Sequence, residues 1–371
     1  MKVALLSPFW YPIADPFQGG SGTALYHLAI SLLQRGVEVV CYACEGSVIP
    51  GVELRSCGVF EPLCYPRAVH EMNGEEMRIL RARQDAIIYQ AIADALDDSS
   101  IDVLHNHAVV GLPFMLSNLI RKPIVHTLHI NPTRPEMKEA LYTCKIRRIS
   151  LNIVGVSQAH IQQWQPYYPV NHYIYNGCDF ATIPYGAWHD GTLAFVGRIS
   201  PTKGVEDAIA VARRLGRKLS IYGEPRPIDI SYFHERIEPL LQGCPYVTYH
   251  GLVHQKILFD ALSHAQVLLV PSKWNKPFGY VVVEAMAAGT PVIMYDRGSA
   301  RELIAEGVSG YIVPPDDRTA LAEAIERTEQ LDRSVCAAYA RERFSLEKYG
   351  EAYLNLLQEA LSNFEATRHV Y

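Results

Sequence analysis

The passage Val196-Gly197-Arg198-Ile199-Ser200-Pro201-Thr202-Lys203-Gly204 sets two cations of different shape in one loop between an apolar run and a helical pattern. An anion placed there meets free backbone N–H groups and the positive end of a helix dipole, with Arg198 and Lys203 approaching from two sides. The matching chemistry is stabilisation of a diphosphate leaving group without a metal. The plain alternative is an ordinary loop with a solvated Arg and Lys.

A second passage, Trp274-Asn275-Lys276-Pro277-Phe278-Gly279-Tyr280-Val281-Val282-Val283-Glu284-Ala285-Met286-Ala287-Ala288-Gly289, turns at Pro277 and Gly279 into a helix of small and apolar residues. Its start offers unpaired N–H groups near Gly279 and Tyr280, suited to a phosphate or a sugar hydroxyl. Glu284 stands in that helix among apolar neighbours. A carboxylate there requires a partner, which the vicinal hydroxyls of a ribose would supply; a buried Arg or a neighbouring helix end would serve equally. In the first half, Phe17-Gln18-Gly19-Gly20-Ser21-Gly22 allows close approach of a ligand to the backbone, but it matches neither the dinucleotide fingerprint nor a P-loop. Histidines pair at His105 with His107 and at His126 with His129. Ligands of doubly wound sheets lie beyond the carboxyl ends of strands, which favours the outer members, His107 and His129. No acidic or thiol companions at ligand spacing make these a metal site.

The elements that must carry these residues alternate strand and helix. Val3–Leu6, a helix from about Thr23 to Arg35 stopped by Gly36, and Val37–Tyr42 form one βαβ unit, and Val103–His105, Ile124–Leu128 and Ile153–Val156 continue it. From Thr192 the alternation restarts as TLAFVG, VEDAIAVARRLG, KLSIYG, YVTYHG, ILFDALSHA, QVLLVPS, YVVVEAMAAG, TPVIMYD, SARELIAEG, GYIVPP and RTALAEAIERTEQL. Continuous apolar runs of this kind read as strands buried on both faces. HYIYNGCDFATIPYGAWHDG reads as the linker, and a last helix runs from roughly Leu346 to Asn363.

With 371 residues the chain exceeds one ordinary core, which predicts two domains. Its 49% hydrophobic and 20% charged residues fit a folded globular protein, and a net charge of −5 argues against nucleic acid as the main partner. The N-terminal MKVALLSPFWYP reads as a first strand rather than a signal peptide, and no run reaches the roughly 18 apolar residues of a membrane span, so a cytoplasmic or peripheral protein is expected. Of the eight cysteines only Cys41 and Cys44 are close, and their C-x-x-C falls in a predicted strand without a second pair, which reads as buried structural thiols.

Taken together, GGSG, HTLH, YNGCD, GRISPTKG and PFGYVVVEAMAAGTPVI followed by RGSARELIAEGVSGYIV resemble glycosyltransferase family 4, the retaining enzymes of the GT-B fold, over nearly the whole chain. The resemblance implies an α/β architecture of two Rossmann-like domains facing across a cleft. It sets an acceptor domain at 1–182, to which a C-terminal helix at about 355–371 returns, and a donor domain at 183–354. It makes Arg198 and Lys203 the diphosphate clamp and Glu284 the ribose carboxylate. Phe278, Gly279 and Tyr280 would touch the donor sugar or its phosphate, Val253 would border the base, His129 would contact the donor sugar, and Gly20 would lie in the loop over the phosphates. No metal or other cofactor is implied, the donor being a UDP- or GDP-type sugar.

One position departs from that pattern. Eight residues before Glu284 the family has Glu against the sugar ring, and this chain has Lys276, a pure donor in place of an acceptor. An anionic donor sugar such as a uronate, a different hold on the sugar, or impaired transfer would each follow. The expected activity is transfer of a sugar to a hydroxyl of a small-molecule or glycan acceptor. A nucleotide-sugar binder without transfer and a nucleotide-sugar epimerase are the rivals. Acceptor loops are expected at Pro12–Ser21, Cys64–Gly74 and Asn131–Lys138, and the basic Lys145-Ile146-Arg147-Arg148 would suit an anionic lipid surface.

Overall fold

A computed structural model describes residues 1–57, apart from 10, 16 and 18, and residues 74–368. The chain divides into two compact units, Met1–Gly177 with Leu346–Tyr371, and Cys178–Ser345. The first unit thus ends at Gly177 rather than 182, and the returning segment begins at Leu346 rather than about 355.

In the first unit β1 (Lys2–Leu6), β2 (Glu38–Ala43), β3 (Glu53–Ser56), β4 (Val103–Asn106), β5 (Ile124–Thr127), β6 (Asn152–Gly155) and β7 (His172–Tyr173) form one parallel sheet in the order β3-β2-β1-β4-β5-β6-β7. The alternation of side chains across a strand divides the core. Val3 and Leu5 pack on one face with Leu25, Leu28 and Leu32 of helix α1 (Gly20–Leu33), and Ala4 and Leu6 pack on the other with Ile88 and Ile92 of the helix Gly74–Asp97. The expected start of α1 at Thr23 is corrected to Gly20. The Gly19 carbonyl already accepts from the Thr23 N–H, so the glycines form the first turn instead of a preceding loop.

The second unit is built from β8 (Leu193–Val196), β9 (Leu219–Tyr222), β10 (Val247–Gly251), β11 (Val267–Val270), β12 (Val292–Tyr295) and β13 (Gly310–Val313), parallel and ordered β10-β9-β8-β11-β12-β13. Helix α2 (Val205–Leu215) follows β8, and helix α3 (Tyr280–Ala287) runs between β11 and β12. The helix expected over SARELIAEG shortens to Ala300–Leu303, because the backbone extends at Ile304. Each unit is therefore a doubly wound Rossmann-like domain with helices between parallel strands.

Helix α4 (Leu346–Arg368) belongs to the first unit because two glycines let it lie close. A Cβ on Gly177 would sit 2.4 Å from Cβ of Tyr349, and one on Gly350 would sit 1.9 Å from Oγ of Ser31. The Tyr349 hydroxyl donates to the Ala24 carbonyl at 3.2 Å, and Ser31 Oγ donates to the Leu346 carbonyl at 2.6 Å. Residues 369–371 of the expected returning helix, and positions 64–73 of the expected acceptor loop, lie outside the described residues. Cys41 and Cys44 are buried and unbridged, and burial pushes the Cys41 thiol up, which leaves it an inert part of the sheet. Among the described residues no helix is long and apolar enough to cross a membrane.

Candidate functional site

A doubly wound sheet leaves a crevice where its strand order reverses, beyond the carboxyl ends of the strands. In the second unit the reversal falls between β8 and β11. The loop after β8 carries Arg198 and Lys203, and the loop after β11 carries Lys276, so the fold brings together two stretches about seventy residues apart in sequence. Gly204 joins them, with φ +73 and a virtual Cβ only 1.9 Å from the Pro271 carbonyl oxygen. The Lys273 N–H then donates to the Thr202 carbonyl at 2.9 Å.

Lys203 ends a short 3-10 turn (Pro201–Lys203) ahead of α2, and its Nζ lies 5.2 Å from the centre of the Trp274 ring, a cation–π arrangement. Burial lowers its pKa. Arg198 is half-buried, with its Nε 3.3 Å from Asp229 Oδ2 but without hydrogen-bond geometry. Burial raises the Asp229 carboxyl although Arg226 pulls it down, so Asp229 is a weak partner for the guanidinium. Sequence reasoning missed both Trp274 and Asp229. Trp274 had a signal, an aromatic beside the Lys-Pro-Phe-Gly turn; Asp229 had none, since only folding sets it opposite a residue some thirty positions earlier.

Lys276 is only 7% exposed, although a lysine normally keeps its ammonium in water. Its backbone is fixed from the loop after β12. The Ser299 N–H donates to the Lys276 carbonyl at 3.1 Å, and Gly298, at φ +58, approaches so closely that a Cβ would meet Lys276 N and O at 2.4 Å. The Nζ stands 3.6 Å from the position a Cβ on Gly279 would take, and Gly279 is the residue that caps the start of α3. Burial, and after it the charge of Lys203, lowers the Lys276 pKa to about 7. Among the described residues its ammonium has no counter-ion and no hydrogen-bond acceptor.

Phe278 is buried with its ring 5.6 Å from that of Tyr280 and 5.9 Å from that of Phe344. Those edge contacts anchor the turn from which the α3 N–H groups project. Glu284 lies in the second turn of α3, 7% exposed, and burial alone raises its carboxyl to about 7. Neither partner weighed from sequence, a buried Arg or a helix end, is present; among the described residues the carboxylate takes no ion pair or hydrogen bond. Val253 follows β10 and is half-buried, and the ends of β8, β9 and β10 are tied by Gly197 N–H to Tyr222 carbonyl at 2.9 Å and Gly223 N–H to Gly251 carbonyl at 2.7 Å.

His129 and Gly20 belong to the first unit. Gly20 opens α1 after β1, and His129 follows β5, with β4 between those strands. His129 Nε2 is 2.8 Å from His107 Nδ1, and burial lowers its pKa to about 3. His105 Nε2 pairs with Thr127 Oγ1 at 2.8 Å, and His126 is engaged at both nitrogens by Asn106 and Ser117, which makes these two structural. Among the described residues neither His129 Nδ1 nor the buried Nε2 of His107 takes a hydrogen bond. His107, a candidate for ligand contact, is fully buried and supports His129 from behind.

Family models match both halves of the chain, "Glycosyltransferase Family 4" over residues 18–182 and "Glycosyl transferases group 1" over residues 190–330. D-inositol 3-phosphate glycosyltransferase of Mycolicibacterium smegmatis is 26% identical across 99% of this chain and 93% of its own length. Glycogen synthase of Mycobacterium tuberculosis is 36% identical across 41% of this chain, a match that spans only 38% of that relative. Among solved structures, Anabaena HepE in complex with UDP and glucose superposes with a TM-score of 0.74 at 19% identity, covering 96% of this chain and 99% of that one. Sucrose-phosphate synthase from Thermosynechococcus elongatus gives a TM-score of 0.73 at 18% identity, over 98% and 99% of the two chains.

Proposed function

Since the chain belongs to the family 4 glycosyltransferases, with the GT-B pair of Rossmann-like domains, we propose that it transfers a hexosyl-type sugar from a UDP- or GDP-sugar to a hydroxyl of a small-molecule or glycan acceptor, with retention at the anomeric carbon. The observation that carries this reading is the set of cations without full counter-charge at the second unit's switch point: Arg198, Lys203 and the start of α3, beside a buried carboxylate at Glu284.

In this reading the diphosphate lies across the loop after β8 and the N-terminus of α3, and the ribose hydroxyls donate to Glu284. Val253 borders the base, and Phe278, Gly279 and Tyr280 face the sugar and its phosphate; for the first unit, the family resemblance alone gives Gly20 a role toward the phosphates and His129 a role toward the sugar. The bond from the anomeric carbon to the diphosphate oxygen breaks as the bond to the acceptor oxygen forms. The acceptor's proton passes to the leaving diphosphate oxygen, whose developing charge Arg198 and Lys203 stabilise. Retention rests on the family resemblance. Fixed cations of this kind make a metal unnecessary for the leaving group, so turnover should survive a chelator.

The test is a panel of nucleotide sugars, scored by released nucleoside diphosphate with and without acceptor. A binder would give thermal shifts and no release, and an epimerase would convert the sugar without any acceptor. Exposed Lys145, Arg147 and Arg148, with Ile146 62% and Tyr142 47% exposed, support a peripheral contact with an anionic lipid surface; co-sedimentation with anionic vesicles tests it.

A further inference from the structure

A lysine only 7% exposed, with no acceptor for its ammonium among the described residues and the charge of a second lysine acting on it, is an unfavourable arrangement in the empty protein. Lys276 is nevertheless held there by a glycine that no other residue could replace without collision, and its Nζ stands over Gly279 at the start of α3, where the helix dipole also repels a cation. Two positive features thus meet at the start of α3, the Lys276 ammonium and the α3 N–H groups, and the charge of Lys203 acts on the first of them. An anion is the missing component.

The direction along α3 separates this anion from the diphosphate. Glu284 and Gly279 are five residues apart, on the order of 7 Å along a helix axis. With the ribose at Glu284, that interval is the span of the diphosphate, which meets Arg198 and Lys203. In that placement Lys276, whose Nζ stands beside Gly279 at the helix start, meets the sugar end of the donor. We infer that Lys276 recognises a carboxylate on the transferred sugar, so that the donor is a nucleoside diphosphate uronate. This rests on the donor placement proposed above.

The lowered pKa of Lys276 agrees with an ammonium lacking its counter-ion, and a bound carboxylate would restore its charge. The size of the effect follows from charge-assisted hydrogen bonding, which contributes about 1.5–3 kcal/mol, roughly ten- to a hundred-fold in affinity.

The experiment measures binding and nucleotide release with UDP, UDP-glucose and UDP-glucuronate, and with GDP, GDP-mannose and GDP-mannuronate, for the wild type and for Lys276→Met and Lys276→Glu. The expected result is a preference of at least about tenfold for the uronate over the neutral sugar on the accepted nucleotide, lost in Lys276→Met and reversed in Lys276→Glu, while the affinity for the free nucleoside diphosphate changes little. Equal weakening of the free diphosphate and both sugars would assign Lys276 to the diphosphate and overturn the inference. A wild type that turns over neutral sugars with no preference for uronates overturns it while leaving the transferase reading intact. Failure of every nucleoside diphosphate to bind removes the donor placement itself, and both readings fall.

Discussion

His107 Nδ1 lies 2.8 Å from His129 Nε2, with the two rings stacked at 5.0 Å. Burial holds both imidazoles neutral at neutral pH, so one proton lies between them. His107 Nε2 is buried without a partner, and a buried orphan N–H is rarer and costlier than an unused lone pair. His107 therefore carries its proton on Nδ1 and donates to His129 Nε2, which leaves His129 with Nδ1–H as its outward donor. Nitrogen-15 chemical shifts should show that tautomer in the free protein. His107→Leu should lose it and lower kcat/KM roughly tenfold, the worth of about one hydrogen bond, while His107→Asn, whose amide can donate in the same place, should restore most of the rate. An unaltered His129 tautomer in His107→Leu would remove His107 from this role.

Among the described residues Lys203 is paired with nothing but the Trp274 ring, and burial already opposes its charge. Its removal should cost little folding stability and much transition-state stabilisation. We expect Lys203→Ala to lower kcat/KM by about 10²–10³-fold with an almost unchanged melting temperature. An unchanged rate would exclude Lys203 from leaving-group stabilisation.

Two buried ionisable groups at the site make stability depend on pH in opposite ways. Burial depresses Lys276 to about 7, so the folded protein holds fewer protons than the unfolded chain, and stability falls as pH drops from 10.5 towards 7. Glu284 is raised from 4.5 to about 7, so its folded form holds more protons, and stability falls as pH rises from 4.5 through 7. Lys203 is the charged neighbour acting on Lys276. Around pH 7 both Lys276→Met and Glu284→Gln should therefore stabilise the unliganded protein, each by about 1 kcal/mol or more, read as a rise in melting temperature of roughly 2–4 °C. A fall in both would show that these side chains find partners in solution.

Gly204 is a positive-φ residue whose Cβ would collide with the Pro271 carbonyl oxygen. Gly204→Ala should cost more than the roughly 1–2 kcal/mol of left-handed backbone strain alone and should pull Lys203 away from Trp274. Nucleoside diphosphate should quench Trp274 fluorescence in the wild type, and that quenching should be lost in the variant. Gly216→Ala is the control, with similar φ (+63) and open space at its Cβ, and it should show the strain without the change at the site.

Much of this molecule was legible in the chain. The apolar runs Leu193–Val196 and Val267–Val270 had to be parallel strands, because nothing else buries both faces of four consecutive apolar residues between helices. The place of the Arg198–Lys203 loop after one strand and of the Gly279 turn at a helix start followed from residue type and the strand–helix alternation. The start of α1 was misplaced because glycine propensity argues for a loop, whereas the hydrogen bonds of the first turn begin at Gly19. What only the tertiary structure decided is which charges lack partners. Sequence left Glu284 open to a buried Arg and Lys276 open to several roles. Among the described residues the fold leaves Glu284 without a cation and Lys276 without an anion, because burial and counter-charge depend on chain segments far apart in sequence that meet at the sheet's switch point.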